Sequence, residues 1–500
     1  MTEACRTVRR GVRLAAALAL AAAPGLAAQS LARRLDARLD APPFNRQLWG
    51  VAVVDERGKL LYGRNADRLF VPASNTKLVV SAVAAALLPP DFTVRTSVYA
   101  NGPVVEGVVR GDLVLYGRGD PSFSRRCYGV DTTAADACVP DAAVGIRALA
   151  DTLVARGIRA VAGDVVGDGS WFDGTLVHPA WEAYDLNWWY AAPVSGLGYN
   201  DNAIDITYAP GANEGEPASL AFTPDFGEVT LENRTRTVAA AAEETIDFFR
   251  DAGTLRVRAE GTVKAGMKPR TEHFALPDPN LFAAQALRTA LAERGIAVLG
   301  GTRSTTDSTL YEVARRAPAV AEITGRPARD WIFPVLNTSQ NWFAEMVLKQ
   351  VGKQFGAAGS WEEGLRVERR FLIDSVGIDS TQFALSDGSG LSASNLVSPL
   401  AFTQLLRFMR SHPHWPVFAA GLPQSGSTGS LRNRFKGTPL EGRVRAKTGS
   451  IARTNTLSGY VDLPSGRMLT FSVQANHHTQ PTRAILAQID SVVVEMAKGR

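Results

Sequence analysis

The stretch RLFVPASNTKLVVSAVAAALLPP, residues 68–90, places a single lysine at the head of a long apolar run. Ser74 and Lys77 are three residues apart, so a helix that begins here carries both side chains on one face. The residues after Lys77 are apolar around the whole circumference of the helix, which is typical of a buried helix. The pattern therefore predicts a central helix over about 74–88, ended by Pro89 and Pro90.

A lysine at the buried end of a helix has chemical consequences. Burial lowers the pKa of the Lys77 ammonium, and the resulting neutral amine can accept the proton of a serine hydroxyl one turn away. A simpler role is also open, with Ser74 as a helix cap and Lys77 as a surface charge whose apolar stem packs on the protein. The S-x-x-K motif is short enough to arise by chance, so by itself it does not separate the two roles.

The composition is that of a globular protein. The chain has 500 residues, of which 45% are apolar and 21% charged, and this length allows two or three domains. At the N-terminus, four arginines precede a short apolar stretch and small residues, which predicts a secretory signal peptide over residues 1–28. A membrane anchor or a buried helix is the alternative, but the apolar stretch is too short to span a bilayer. We expect a secreted protein of the periplasm or cell envelope without a transmembrane anchor after cleavage.

Charge and cysteine usage narrow the classes of function. Loss of residues 1–28 removes four Arg and one Glu, so the formal charge falls from +5 to +2, and no basic cluster predicts nucleic-acid binding. The six histidines do not cluster at zinc spacing, and we expect no metal and no cofactor. Cys127 and Cys138 remain as a pair, which in an exported protein predicts a disulfide that contributes about 3 kcal/mol, with two free thiols as the alternative.

Both ends of the mature chain carry hairpin patterns. Strands are predicted at 48–55 and 60–64, and TLSGYVDLPSGRMLTFSVQAN, residues 456–476, predicts a second hairpin before a closing helix. Two terminal hairpins with helices beside them indicate one sheet assembled from both chain ends. We therefore expect one domain built from residues 29–93 and 306–500, interrupted by a mostly β region at 94–305 that forms two small subdomains.

The interrupting region contains an internal echo. LADTLVARGIRAVAGDVVGD, residues 149–168, resembles ALRTALAERGIAVLGGTRS, residues 286–304. Each copy reads as a helix stopped by glycine and followed by a strand. Two copies are too few for a solenoid, and they indicate two similar pieces of one subdomain. After the echo the pattern becomes helical, with helices predicted near 341–354, 361–375 and 399–411.

Two further short motifs lie far along the chain. Ser339-Gln340-Asn341 precedes a predicted helix, and Lys447-Thr448-Gly449 ends a predicted strand. Taken singly, Asn341 fits a helix cap, and Thr448-Gly449 fits a turn, better than either fits a catalytic motif. S-x-x-K, S-x-N and K-T-G each occur once, in this order, and that combination is the signature of the active-site-serine, penicillin-recognising enzymes.

The chain resembles the class C low-molecular-mass penicillin-binding proteins, the D-alanyl-D-alanine carboxypeptidase/endopeptidase family. Ser339 follows Lys77 by 262 residues, whereas β-lactamases keep these two motifs close together. The resemblance covers residues 45–490, and further segments carry it: GRGDPSF (117–123), YAAPVSGLGYNDN (190–202), DGSGLSASN (387–395) and GTPLEGRVRAKTGS (437–450). The chain departs from the pattern at Gln340, where Asp or Asn is usual, and at Gly196, where Ala is common.

The resemblance implies a fold and a set of roles. The fold is α/β (α+β), a β-lactamase/transpeptidase-like domain with a five-stranded antiparallel sheet flanked by helices, plus the inserted region. Ser74 would be the nucleophile, Lys77 its base, and Ser339 the relay of a proton to the leaving amine. The residues expected to bind the substrate are Asn341 for the amide, Lys447, Thr448 and Gly449 for the terminal carboxylate, and Ser450, whose amide joins that of Ser74 in an oxyanion hole.

The implied activity is a serine-type D-Ala-D-Ala carboxypeptidase or endopeptidase. It would hydrolyse peptidoglycan stem peptides through an acyl-enzyme on Ser74, and β-lactam antibiotics would inhibit it. A secreted β-lactamase-like or esterase hydrolase with the same serine mechanism is the alternative, and an idle wall-binding protein is disfavoured because all three motifs are intact. The aromatic stretch from Trp181 to Tyr190 fits either a substrate pocket or a core cluster.

Overall fold

The computed structural model describes residues 23–133, 137–227, 229–251 and 254–498. Most of the predicted signal peptide, residues 1–22, therefore lies outside the described residues. Within these ranges, no helix is both long enough and apolar enough to cross a bilayer.

A five-stranded antiparallel sheet is built from both ends of the chain, as predicted. Leu48 pairs with Asn476, and Val54 with Thr470, so the first strand lies directly against the last one. The three central strands are buried almost continuously, which is expected of a sheet covered on both faces. In spatial order the strands are Leu60–Arg64, Leu48–Val54, Met468–Asn476, Thr454–Asp462 and Val444–Ile451.

The two terminal helices, Ala23–Leu39 and Thr482–Ala497, cover one face of this sheet. Leu31, Leu35 and Leu39 repeat every four residues and are fully buried, so one stripe of the first helix faces the core. They pack in one apolar cluster with Trp49 of the sheet and with residues of the closing helix such as Ile489.

The opposite face carries the larger helical layer. The predicted helix after Ser74 is present, but it starts as a 3-10 turn at Ala73–Thr76 before the α-helix Lys77–Leu87, which is buried from Lys77 to Ala85. The helices predicted near 341, 361 and 399 are confirmed. Besides Lys77–Leu87, the helices of this layer are Ala328–Leu336, Asn341–Phe355, Trp361–Arg370, which continues as a wider turn over Phe371–Val376, Pro399–Ser411 and Trp415–Gly421.

The inserted region has its own sheets and a separate apolar core. Its largest sheet contains, in spatial order, Thr302–Thr305, Val165–Asp168, Asp112–Tyr116, Arg95–Asn101 and Ala321–Thr324. The smaller sheets contain Ala297–Val298, Ala160–Val161, Val108–Val109 and Val104–Val105; Ser219–Thr223, Ala203–Ala209 and Arg270–Ala275; and Thr230–Val238, Arg256–Lys264 and Asp247–Arg250. Its α-helices are Ala143–Ala155, Pro279–Glu293 and Glu312–Arg316, and a two-stranded ladder outside it joins Phe383–Ala384 to Leu396–Val397.

The two echo copies lie side by side in the insert. Their strands pair in parallel, Ala297 opposite Ala160 and Thr302 opposite Val165, and their helices end at Gly157 and Gly295, which both have positive φ. The strand Ala321–Thr324 pairs with Arg95–Asn101. By strand pairing, the inserted region thus extends to about residue 325, beyond the boundary at 305 that the sequence predicts, because this short strand carries too weak a pattern to be recognised alone.

A disulfide joins Cys127 to Cys138 and closes a loop of the inserted region. The cross-link restricts the unfolded chain more than the folded one and stabilises the loop entropically. Arg126, directly before Cys127, points from this loop towards the helical layer and reaches Gln340.

Candidate active site

The first motif lies where the 3-10 turn becomes the buried helix. Ser74 is partly exposed in this turn, whereas Lys77, one turn later, is fully buried. Ala73, directly before Ser74, has φ +48°, a left-handed conformation that costs free energy in a non-glycine residue and is found at functional turns. Gly390 of a neighbouring loop packs on this turn so closely that a Cβ there would lie 1.9 Å from the Ala73 oxygen.

The Lys77 amine contacts three oxygen atoms. Its Nζ lies 2.9 Å from Ser74 Oγ, 2.7 Å from Asn341 Oδ1 and 2.6 Å from the Ser389 carbonyl oxygen. A neutral amine has two N–H donors and one lone pair. The two carbonyl-type oxygens can only accept, so in the neutral form the lone pair faces the hydroxyl of Ser74.

Burial lowers the pKa of Lys77 from 10.5 to about 7, because a charged ammonium is desolvated there. The carboxylates of Glu345 and Asp387 oppose this effect and raise the pKa of Lys77. At neutral pH a substantial fraction of Lys77 is therefore unprotonated and able to act as a base.

Glu345 and Asp387 support the loop that contacts Lys77. Glu345 accepts hydrogen bonds from the backbone N–H groups of Gly388 and Ser389 and from Trp361 Nε1, at 2.7–3.0 Å. Asp387 accepts hydrogen bonds from Gly390 N–H and three other donors. These bonds fix the Ser389 carbonyl that accepts from Lys77.

The sequence reasoning missed both of these carboxylates. Asp387 lies in the segment 387–395, which carries the family resemblance but belongs to none of the three motifs. Glu345 had a usable signal, since it is a charged residue among apolar neighbours on the helix Asn341–Phe355, and it is completely buried.

The second motif turns sharply into that helix. Ser339 has φ +62° and Asn341 is the first helical residue. Asn341 Nδ2 donates to the Tyr190 carbonyl at 2.8 Å, which orients its Oδ1 towards Lys77. The Asn341 amide, expected to bind the substrate, is thus also a structural link between Lys77 and the inserted region.

The third motif lies on the edge strand Val444–Ile451. Lys447 is fully buried, and its Nζ donates to Ser339 Oγ at 2.9 Å and to the Thr448 carbonyl at 2.7 Å. A Cβ on Gly449 would lie 2.6 Å from the Pro72 oxygen, so glycine allows this strand to approach the turn that carries Ser74. All three predicted motifs therefore meet at one place.

Thr448 and Ser450 face the open side of the edge strand. Thr448 Oγ1 donates to Ser430 Oγ at 2.7 Å, and Ser450 Oγ accepts from Asn455 Nδ2 at 2.8 Å. Lys447 differs from Lys77 in its surroundings. Burial and the nearby Lys77 lower its pKa far below the usual range, and within the described residues no carboxylate raises it.

A cleft of about 1160 Å³ opens above Ser74. The structure brings Ser74, Asn341 and Ser450 together in its wall. Glu182 and Asp185 also line it, and burial raises the pKa of Asp185, with Glu182 adding to the effect. The aromatic stretch from Trp181 to Tyr190 contributes both to the cleft and to the core: Tyr190 lines the cleft, whereas Trp181 is buried in the core.

No group of three or more His, Cys, Asp or Glu side chains that could hold a metal ion is present in the described residues. The chemistry that the arrangement offers is nucleophilic: a hydroxyl, an adjacent amine of lowered pKa, and a second amine that has no anionic partner in the part of the chain that the structure describes.

Comparisons with known proteins agree with this geometry. The chain matches the D-Ala-D-Ala carboxypeptidase 3 (S13) family over residues 31–496. A D-alanyl-D-alanine carboxypeptidase of Actinomadura sp. (strain R39) is 33% identical over 484 residues, which span 94% of this chain and 84% of that relative. A carboxypeptidase of Mycolicibacterium smegmatis (strain ATCC 700084 / mc(2)155) is 26% identical over 93% of this chain and 84% of its own length.

Solved structures show the same fold. Penicillin binding protein 4 of Haemophilus influenzae superposes with a TM-score of 0.78 at 22% identity, over 93% of this chain and 99% of that one. The same protein solved in complex with a β-lactam superposes with a TM-score of 0.72.

Proposed function

The chain belongs to the D-Ala-D-Ala carboxypeptidase 3 (S13) family, and from this premise we propose how its residues perform serine-type hydrolysis of peptidoglycan stem peptides. Ser74 is the nucleophile and Lys77 its base. The observation that carries this assignment is the 2.9 Å contact between Ser74 Oγ and the buried Lys77 Nζ, whose pKa is lowered to about 7.

Acylation begins with transfer of the Ser74 proton to Lys77. Ser74 Oγ then attacks the carbonyl carbon of the penultimate D-alanine, and the backbone N–H groups of Ser74 and Ser450 stabilise the oxyanion. Ser450 lines the cleft together with Ser74, which supports this role. Neutral Lys77 is ready for this step without a prior change of charge.

Departure of the terminal residue needs a proton on its amine. Ser339 is suited to deliver it, because its hydroxyl oxygen accepts from Lys447 and its own proton remains available. The C–N bond breaks, and an acyl-enzyme remains on Ser74. The proton that Lys77 took from Ser74 passes to Ser339 to replace the one it gave up, which leaves Lys77 neutral again. Water then attacks the ester and gives a proton to Lys77, Ser74 Oγ regains that proton as it leaves, and the shortened stem peptide is released.

Lys447 and Thr448 bind the terminal carboxylate of the substrate. The supporting observation is that buried Lys447 has two neutral acceptors, Ser339 Oγ and the Thr448 carbonyl, and no carboxylate partner in the described part of the chain. A carboxylate from the substrate supplies the missing charge. A β-lactam offers a similarly placed carboxylate, so β-lactams acylate Ser74 and inhibit the enzyme.

The proposal also assigns the catalytic region, the inserted region and the destination of the protein. Residues 29–93 and the C-terminal part after the insert form the catalytic region, while the inserted region supplies Glu182, Asp185 and Tyr190 to the cleft. The signal peptide directs the protein to the periplasm or cell envelope, where stem peptides ending in D-Ala-D-Ala occur. N-terminal sequencing of the exported protein, expected to start near Gln29, tests that destination.

Release of free D-alanine from a pentapeptide ending in D-Ala-D-Ala tests the activity. We expect Ser74→Ala to lower kcat at least about 10³-fold, because the attacking atom is lost. Ser81→Ala is the matched control, since Ser81 is buried two turns later and its hydroxyl has no hydrogen-bond partner within the described residues. Equal activity of the two variants would contradict the proposal.

A further inference from the structure

A second cavity lies on the other side of the Ser339 turn. This seam pocket, of about 790 Å³, forms where the inserted region meets the catalytic region. Thr338 and Gln340, the two neighbours of Ser339, line it from the catalytic side. The inserted region contributes most of the remaining lining residues, among them Arg125, Arg126, Trp189, Asp201, Asp205 and His273.

The mouth of the seam pocket carries both signs of charge. Arg125 Nη2 lies 2.8 Å from one oxygen of Asp205, and His273 Nδ1 lies 2.7 Å from the other. The side chains of Arg125 and His273 are about half exposed, at 47% and 46%. An exposed ion pair contributes little to stability. A ligand with one anionic group and one cationic or N–H group can therefore replace the contacts within this pair by contacts to itself.

The floor of the pocket is strained and incompletely paired. Arg126 forms an ion pair with Asp201 and donates to the side-chain oxygen of Gln340. Within the described residues, Asp201 Oδ1 and Arg126 Nε have no hydrogen-bond partner, although the Asp201 side chain is only 9% exposed. Asn200, Asp201 and Asn202 all have φ near +50°, a costly run in non-glycine residues that is typical of functional sites.

The pocket adjoins the turn that carries Ser339. Trp189 and Tyr190, with ring centroids 6.2 Å apart, lie between this pocket and the cleft above Ser74. Tyr190 lines the cleft above Ser74, and Trp189 lines the seam pocket. Ser339, proposed to protonate the leaving amine, is flanked on both sides by seam-pocket residues.

We propose that the seam pocket binds the second stem peptide of a cross-linked peptidoglycan dimer, the part that leaves when the cross-link is cut. This inference rests on the function proposed above. In that reaction the amide between the penultimate D-alanine carbonyl and a side-chain amine of the second stem breaks, Ser74 Oγ bonds to the carbonyl carbon, and the amine gains a proton. D-alanine released from a pentapeptide is too small to need such a pocket, whereas a stem peptide carries carboxylate and amide groups that suit Arg125 and Asp205, and the amine freed by the cut adds an ammonium group.

The test compares two substrates on the full-length mature protein. We expect Arg125→Ala and Asp205→Asn to lower kcat/KM for a synthetic cross-linked stem-peptide dimer about 5- to 20-fold, mainly through KM. For D-Ala release from the pentapeptide, and for labelling by a fluorescent penicillin, we expect changes of less than about 2-fold. Normal penicillin labelling also shows that the variants are folded.

Arg95→Ala is the matched control, because Arg95 also forms an exposed ion pair in the inserted region, with Glu322, but does not line the pocket. The proposal is overturned if both substrates lose activity equally, if neither does, or if the wild type hydrolyses the pentapeptide but not the dimer. Failure of the underlying function has a different result: penicillin labelling or hydrolysis that survives Ser74→Ala.

Discussion

The two buried lysines at the cleft have opposite surroundings. Lys77 is held by three oxygen atoms and has two carboxylates, Glu345 and Asp387, behind it. Lys447 is equally buried, but its neighbours in the described structure are a hydroxyl, a carbonyl and the other lysine. Two equally buried lysines therefore differ in their chemistry because different groups surround them.

The two sites differ in whether the protein itself provides negative charge beside the amine. The protein supplies carboxylates near Lys77, and these moderate the effect of burial so that its pKa comes to about 7. Near Lys447 the described residues supply none, and burial together with Lys77 keeps the pKa of Lys447 far below its usual range. An anion beside this amine favours its charged form. We infer that the first lysine is adjusted to exchange protons and the second to bind the carboxylate of the substrate.

Replacing the amine of Lys77 is expected to have the largest effect. Lys77→Met removes the base while keeping an apolar side chain of similar length, and we expect the rate of acylation by a fluorescent penicillin to fall by about 10³-fold or more. Lys353→Met, a substitution of the same type outside the three motifs, should acylate at the wild-type rate. If the two variants label equally fast, Lys77 is not the base.

The same variant tests the pKa of Lys77 through stability. In the wild type the amine titrates near 7 when folded and near 10.5 when unfolded, so the unfolded state binds more protons between these values. Wild-type stability should therefore decrease as the pH falls from 10 to 7, and Lys77→Met should lack this component.

Each pKa unit corresponds to about 1.4 kcal/mol, so the free energy of unfolding of Lys77→Met relative to wild type should rise by roughly 3 to 5 kcal/mol over that interval. Urea titrations at several pH values measure it. A difference between the two proteins that is constant with pH would show that the pKa of Lys77 is not lowered.

Removing the charge of Lys447 should affect one class of substrate. We expect Lys447→Gln to lower kcat/KM about 10- to 100-fold for a peptide that ends in a free carboxylate, because a charge-assisted hydrogen bond is lost. For the same peptide with an amidated C-terminus, already a poor substrate, the variant and the wild type should differ by less than about 3-fold. A similar loss on both peptides would mean that Lys447 acts only through Ser339.

The carboxylates behind Lys77 should give the smallest effect. Burial raises the pKa of Glu345 itself to about 7, so this residue carries part of a negative charge near neutral pH. This partial charge raises the pKa of Lys77 and Glu345→Gln removes it, so the acid limb of the pH profile for acylation should move slightly to lower pH. Glu345→Gln also weakens the support of Ser389, and the maximal rate should fall by about 3- to 10-fold.

Glu368→Gln is the matched control, since Glu368 is equally buried but is not among the carboxylates that raise the pKa of Lys77, and burial raises its own pKa well above the usual value. Its acid limb should stay at the wild-type position. If Glu345→Gln shifts the limb no more than Glu368→Gln does, the charge of Glu345 does not reach Lys77.

Much of the catalytic region could be predicted from the sequence. The terminal hairpins are short strand-like runs joined by turn residues, and the helix after Ser74 is continuously apolar. Such local patterns specify their elements without tertiary information. Ser74, Lys77, Ser339, Asn341 and Lys447 were found because each belongs to a short motif, and the structure brings all of them together.

Features that depend on long-range contacts were not predictable. Glu345 accepts a hydrogen bond from Ser389, which lies 44 residues later in the chain. The seam pocket brings together Arg125 and Gln340, which are separated in sequence by most of the inserted region. The strand Ala321–Thr324 is four residues long, and its membership in the inserted sheet depends on a partner more than 200 residues away. Neither periodicity nor motif spacing contains information of this kind.

The central claim is that Ser74, activated by Lys77, forms the covalent intermediate. Intact-mass measurement after incubation with benzylpenicillin, followed by peptide mapping, tests it most directly. We predict one adduct of the mass of the intact penicillin, located on the peptide that contains Ser74, and no adduct on Ser74→Ala. An adduct on another residue, or a mass increase that persists in Ser74→Ala, would contradict the account.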